Sequence, residues 1–460
     1  MQCSSFGLRC MREANRLRRW SACATLAALA VIASANSVSG QITTEVLIGD
    51  AVSEPNDPRF SDVGEAIKRF SNNDLLGATT FLEAARQKNK SLPPVNLMLA
   101  KMHFLSGNAP SGQASLEQAV TEDGTDPEPY LILGEQAFQV GQTIIADALF
   151  NRAVDLATAY EANPKRKRNF EIRARAGRAS IAERRTNWAQ ADADLRAWLQ
   201  VEPDSANAHE RLGQVLFMQD KASEGYTAFV EAHKLNEKLP NPLVAAALMY
   251  DRLDKPAEAQ QSFERAFAEN KTDETTLLAY SQWLIKQGDI SKAETILASA
   301  QKAAPKSANV WLLSGVAAKM AGKPGPAEQF LMQALNLAPS NRDVYNQLAL
   351  LLIEQPEPEK KNRAREFAAI NHRLNENNPD VNVTLSWVLF QLGQGRQATQ
   401  ALQSAFQKGA LSADANFLVA KLLTQRGDNE NAKKFLDAAL AFKGIFVQRA
   451  EAEALREQLK

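Results

Sequence analysis

Small and bulky apolar positions recur along this chain at a fixed spacing. Gly288 to Pro305 reads GDISKAETILASAQKAAP and Gly322 to Pro339 reads GKPGPAEQFLMQALNLAP, so Gly288/Gly322, Ala293/Ala327, Ala300/Ala334 and Pro305/Pro339 are each 34 residues apart. Extended in both directions, that register recovers eleven units. The first small residue of each second helix falls at Ala78, Gly112 and Ala146, then Ala191, Gly225, Ala259, Ala293 and Ala327, then Ala364, Ala398 and Ala432. Twelve residues earlier stand Ala66, Ala100, Gly134, Ala179, Gly213, Ala247, Ser281, Gly315, Ser386 and Ala420, and Ala349 joins them once three extra residues are allowed. A fixed period of this length is the mark of a repeat array, each repeat a supersecondary unit that buries its apolar face on its neighbours.

The residue types say what each unit is. Two antiparallel helices joined by a short turn approach closely only where no large side chain separates their backbones, which is the place for the small residues. Seven residues after each second-helix small residue comes Ala in nine units of eleven, Trp198 and Asn371 being the exceptions. Between the two sits a bulky apolar residue such as Leu82, Phe150, Phe229, Phe263, Leu297, Leu331 or Leu436, which fills the groove against the next unit. Gly107, Gly141, Gly288, Gly322, Gly393 and Gly427 lie between paired helices, where a left-handed turn favours glycine, and Pro203, Pro305 and Pro339 end second helices.

These positions resemble the tetratricopeptide-repeat family, and Trp311 stands at that family's first-helix aromatic position. The resemblance covers about Arg59 to Gly444 and implies an all-α fold: a right-handed superhelical solenoid of about eleven helix-turn-helix repeats. Phe446, Ala450, Ala454, Leu455 and Leu459 predict a C-terminal amphipathic helix over 446–460 that caps it. Repeats one to three then span 59–160 and repeats four to eleven 173–445. The register slips twice. Eleven extra residues fall in a basic insertion, 161–172, and three more around Gln355-Pro356-Glu357-Pro358-Glu359; both are expected to protrude or to lengthen a helix end. The first slip is expected to divide the array into three-unit and eight-unit blocks.

The N-terminus is a separate matter. Arg9, Arg12, Arg16, Arg18 and Arg19 precede a short apolar run, Ser21 to Ala35, followed by small residues. That layout predicts a secretory signal peptide over 1–40, an uncleaved anchor being the alternative, with 41–58 as a polar, turn-prone linker. It implies export to the periplasm or cell envelope, or beyond. The 53 basic and 53 acidic residues balance; without residues 1–40 the chain would carry net charge −4 and none of its three cysteines, Cys3, Cys10 and Cys23. It would then have no disulfide, thiolate metal site or cysteine nucleophile. The charge balance and the absence of interleaved aromatics disfavour nucleic acid as a partner.

Chemistry is sparse. His103, His209, His233 and His372 lie in different units without partners at metal-binding spacing, and neither a phosphate-binding glycine loop nor a nucleophile elbow is present. No catalytic residue, metal ligand or cofactor is expected. The family resemblance instead implies a protein or peptide partner held in a concave groove lined by first helices. Carried over position by position, it nominates Arg173, Ser180, Glu183, Arg184, Glu210, Gln214, Asp251, Arg252, Gln282, Lys286 and Lys319, then an apolar stretch of Leu350, Ile353, Trp387 and Phe390. Trp387 fits groove and core equally well from sequence. A second surface, Lys165, Arg166, Lys167 and Arg168, reads either as solvated charge or as a docking patch for an anionic polymer or lipid headgroups.

Overall fold

The computed structural model describes residues 42–49 and 60–459, and among these every regular element is an α-helix. The predicted signal peptide, and the linker apart from 42–49, lie outside the described residues. Eleven helical hairpins follow one another, and the chain divides into two compact units, one ending at Pro242 and the other starting at Leu243.

The first unit holds five hairpins: Ser61–Ser71 with Leu75–Lys88, Val95–Leu105 with Ala109–Glu122, Pro127–Gln139 with Thr143–Ala159, Pro164–Arg184 with Trp188–Val201, and Ala206–Met218 with Ala222–Leu235. The second holds six: Pro242–Arg252 with Pro256–Glu269, Glu274–Gln287 with Ile290–Ala303, Ala308–Met320 with Pro324–Leu337, Arg342–Ile353 with Pro358–Leu374, Pro379–Gln391 with Gly395–Lys408, and Ala413–Gln425 with Asn429–Leu440. Side chains start many of these helices: Asp74, Asn108, Asp126, Asn187, Asp289 and Asp428 each accept a hydrogen bond from a first-turn N–H that the helix itself leaves unpaired.

The small-residue positions are where hairpin helices meet. Ala66, Ala78, Ala100, Ala146, Ala179, Ala191, Ala247, Ala259, Ala293, Ala327, Ala349, Ala364, Ala398, Ala420 and Ala432 are wholly buried. Where serine replaces alanine at Ser386, its hydroxyl donates across the hairpin to the Ala398 carbonyl at 2.7 Å. Asn371, the exception to the alanine rule, donates to the Arg342 carbonyl and to Asn346 Oδ1 at 2.9 and 2.8 Å, so its buried amide is satisfied. At ten of the eleven hairpin tips the backbone turns through a left-handed residue, glycine in six and Asn73, Thr186, Asp220 and Asp254 in the others, these four at φ 57–62°.

The two register slips are absorbed by helices. The basic insertion does not protrude as a loop: it becomes the first turns of the 21-residue helix Pro164–Arg184, after a 17-residue partner Thr143–Ala159. The three later residues lengthen Pro358–Leu374 to 17, with Pro358 at its start, where its missing N–H costs nothing. The unit boundary accordingly lies not at the insertion but after Pro240-Asn241-Pro242, between the fifth and sixth hairpins. Two further helices lie outside the hairpins. Helix Arg449–Gln458 buries Ala452, with Phe446 just before it, against the last hairpin, Phe446 meeting Phe417 edge-on at 5.9 Å. Residues 44–48, read from sequence as linker, form a short helix whose Leu47 and Ile48 are buried on the first two hairpins.

Candidate functional site

First helices of successive hairpins pack side by side, Pro127–Gln139 with Pro164–Arg184 in the first unit and Glu274–Gln287 through Ala413–Gln425 in the second, and they form the walls nominated from sequence. Taken side chain by side chain, most of that surface is already committed to itself.

In the first unit a buried ionic network joins the second, third and fourth hairpins. Arg166 is 2% exposed; its Nη2 donates to Asp126 Oδ2 at 2.8 Å and Glu128 Oε2 at 3.0 Å, and its Nη1 donates to the Tyr160 hydroxyl at 2.6 Å. Its guanidinium also lies 4.9 Å from the centre of the Phe170 ring. Lys101 reaches Glu128 from the other side, Nζ to Oε1 at 2.6 Å. Arg173 grips Glu135 with two bonds of 2.9 and 2.8 Å and lies 4.0 Å from Glu128. Burial alone would push the Glu128 carboxyl up, but Lys101, Arg166 and Arg173 outweigh it and hold it at about 2. Asp126 is moved the other way, up, because burial and the neighbouring Glu128 outweigh Arg166. Burial pulls Lys101 below the ordinary lysine value in spite of Glu128.

The basic run is therefore not a parallel array of surface cations. A helix sends consecutive residues around its axis, so Arg166, Phe170 and Ala174 face inward while Lys165 and Arg168 face out, and Lys167 donates to the Thr158 carbonyl at 3.1 Å. Arg166 leaves the nominated docking patch for this reason. Farther along the wall Glu183 accepts from Arg211 Nε at 3.0 Å, Arg211 also reaches the Ser180 hydroxyl at 3.0 Å, and Arg184 lies over the Phe138 ring at 4.0 Å. Glu210 and Gln214 have no hydrogen-bond or ion-pair partner among the described residues, and burial raises the Glu210 carboxyl above its usual range.

In the second unit Asp251 is held by Lys286 Nζ at 2.7 and 2.6 Å and by Trp283 Nε1 at 3.1 Å, and Lys319 lies 3.7 Å from Glu354. Arg252 and Gln282 are exposed and, among the described residues, unpartnered. The expected apolar trough is not open. Leu350, Ile353 and Trp387 are each 4–5% exposed and belong to one core cluster; Phe390, half-buried, stacks on Trp387 at 6.5 Å. Neighbouring first helices cover these side chains, and the Lys421 ammonium lies 5.1 Å from the centre of the Trp387 ring. The choice between groove and core thus falls to core for Trp387.

Sequence reasoning passed over Asp414 as well. Burial pushes its carboxyl up to about 6, with Asp380 adding to the rise, while the Val447 N–H and Lys319 oppose it. An acid raised this way favours the folded state while protonated. Its contribution is complete below pH ~4 and is lost as pH rises through ~6. Asp414→Asn is therefore expected to stabilise the second unit at pH 7.5 by about 2 kcal/mol and to leave it unchanged at pH 4. Thermal unfolding at the two pH values checks this; equal shifts at both would refute it.

Three of the four histidines make structural contacts. His103 meets Phe70 edge-on at 5.0 Å, and His209 and His233 contact the Pro203 and Leu239 carbonyls, each at 2.9 Å. Among the described residues no group of three or more His, Cys, Asp or Glu comes together to hold a metal ion, and no helix is long and apolar enough to cross a membrane.

Two family profiles, each described as Tetratricopeptide repeat, match residues 253–316 and 383–444. None of the curated proteins compared matches the chain. Among solved structures, yeast Tom70 aligns over 88% of this chain and 96% of its own, at 13% identity and TM-score 0.40. The human IFIT1 dimer with PPP-AAAA aligns over 75% and 90%, at 15% identity and TM-score 0.37. A thermophilic TPR protein from Thermus thermophilus aligns over 40% and 100%, at 21% identity and TM-score 0.32. These likenesses are weak, and nothing about a ligand or partner passes from those proteins to this one.

Proposed function

This chain is a tetratricopeptide-repeat protein, and on that footing we propose that it is a non-catalytic interaction scaffold of a bacterial cell envelope. Its first-helix walls hold a peptide or protein surface, in service of assembly or secretion. One observation carries the reading: among the groove positions nominated from sequence, Arg173, Glu183, Asp251 and Lys286 are matched within the wall, whereas Glu210, Gln214, Arg252 and Gln282 stand without a partner among the described residues. A half-buried carboxylate kept unpaired costs stability, and a cationic group on a partner would relieve that cost. The envelope location rests on the basic and apolar character of residues 1–35. A mature N-terminus near Ala35 or Gly40, found by mass spectrometry of the exported protein, is its expected signature.

Site-specific photo-crosslinking in cells tests the scaffold reading. A photoreactive residue at Gln214 or Gln282 is expected to give discrete adducts, whereas one at Lys302, exposed on a second helix, gives none. Adducts of equal yield from both faces, or from neither, would refute it.

A further inference from the structure

The short helix Thr44–Ile48 stands outside the repeat register, yet it occupies the wall. It packs on Ser61–Ser71 and Val95–Leu105, the first helices of two successive hairpins. Leu47 is fully buried and Ile48 is 3% exposed, in one cluster with Val63, Ala66, Phe70, Met98, Leu99 and Met102. Lys101 Nζ donates to the Leu47 carbonyl at 3.1 Å while it pairs with Glu128. Gly49 turns the backbone into the left-handed region at φ 67°, and an added Cβ there would lie 3.6 Å from Arg166 Cγ, on the fourth hairpin.

A five-residue helix has no stability of its own in water. It persists here because the wall supplies what a bound peptide needs: an apolar cradle for two adjacent aliphatic side chains, and an ammonium for a carbonyl that the helix end leaves unpaired. The ammonium is itself fixed by Glu128, so the donor is placed before anything binds.

Resting on the scaffold reading, we propose that this part of the first unit's wall is a peptide site, and that residues 42–49 are its tethered occupant. The partner it fits is a short helical turn from another protein, carrying two adjacent aliphatic residues followed by glycine, which displaces the chain's own Leu47-Ile48-Gly49. Tethering gives the resident segment an effective concentration on the order of millimolar. Only a partner peptide with greater contact or local concentration then gains entry, so the segment sets a threshold for binding.

The test uses the full chain and a labelled synthetic peptide of residues 42–49, ITTEVLIG. Fluorescence anisotropy is expected to show at least tenfold tighter binding to the Leu47→Asp chain than to the wild-type chain. A peptide carrying Leu47→Asp should bind neither. In the wild-type chain, excess peptide should speed hydrogen exchange at the Val46–Gly49 amides, because it exchanges with the resident segment. Equal binding to both chains would overturn the proposal, as would no binding to a Leu47→Asp chain that keeps wild-type helicity. Loss of helicity in that variant, with no change in exchange on adding peptide to the wild-type chain, would make the segment a structural cap and overturn it too. Crosslinks from Gln282, in the other unit, do not depend on this segment, so failure here is distinguishable from failure of the scaffold reading.

Discussion

Glu128→Gln is expected to destabilise the first unit by about 3–5 kcal/mol at pH 7, the cost of breaking a buried ion pair by removing one partner. Glu128 is the one carboxylate that Lys101 and Arg166 both contact directly, and Arg173 stands at 4.0 Å. The amide cannot balance these charges, and Lys101 is left buried facing a neutral group. Asp126 remains for Arg166 and keeps the loss from being larger. Because the Glu128 carboxyl is held at about 2, below its ordinary value of 4.5, its contribution is present above pH ~4.5 and fades as pH falls through ~2. The gap between wild type and variant should therefore be widest at neutral pH and narrow in acid. Hydrogen exchange along Pro127–Gln139 and the first thermal transition report it. Glu135→Gln is the control. Its partner Arg173 keeps 22% side-chain exposure and can hydrate, so the loss should be clearly smaller. Equal costs for the two substitutions would show that the network is ordinary surface pairing.

Gly225→Val is expected to cost the fifth hairpin about 3 kcal/mol, the upper end of what overpacking a close contact does. Gly213 and Gly225 face each other across that hairpin. A Cβ added at Gly225 would lie 2.6 Å from Phe217 Cδ2 and 2.9 Å from the Gly213 carbonyl oxygen. Phe217 is itself stacked on Phe229 at 5.6 Å, so the ring has little room to yield, and the other obstacle is backbone. The sign should differ elsewhere in the same unit. Gly64 also lies in a helix, but nothing stands within 4 Å of its added Cβ, so Gly64→Ala should stabilise by about 0.5–1 kcal/mol through helix propensity alone. If both substitutions shift the unfolding midpoint the same way, close backbone approach is not what selects glycine at Gly225.

The repeat was legible because it rests on contacts that are local in sequence. All but the ninth hairpin place two small residues twelve apart with a left-handed tip between the helices, and both recur along the array whatever it binds. Even Asn73, Thr186, Asp220 and Asp254, which glycine counting missed, occupy that same tip position. The ionic network was illegible for the opposite reason. Arg166 meets Asp126 and Glu128 across 40 and 38 residues, and in the chain it looks like its exposed neighbours Lys165 and Arg168. The available signal was acidic: Asp126-Pro127-Glu128-Pro129 opens the first helix of the hairpin before the basic insertion, with an N-cap carboxylate already poised at a helix start. The apolar nominations failed similarly. Family position puts Leu350, Ile353 and Trp387 on first helices, but whether such residues face solvent depends on how tightly the next first helix packs over them. The docking of Leu47 and Ile48 carried no periodic signal at all, since one short segment repeats nothing.

The internal matching of charge has a kinetic consequence. Lys101, Arg166, Arg173, Arg211 and Lys286 each lie within about 3 Å of a carboxylate on a neighbouring hairpin. Opposed charges so close cancel well inside the Debye length of about 8 Å at physiological ionic strength, so these paired stretches of the walls project little field into solution. A partner approaching them is not steered. It arrives by diffusion and orientation alone, with an association rate in the neutral range of about 10⁵–10⁶ per molar per second that added salt hardly changes. Selectivity between partners must then be expressed after encounter, in how long each one stays.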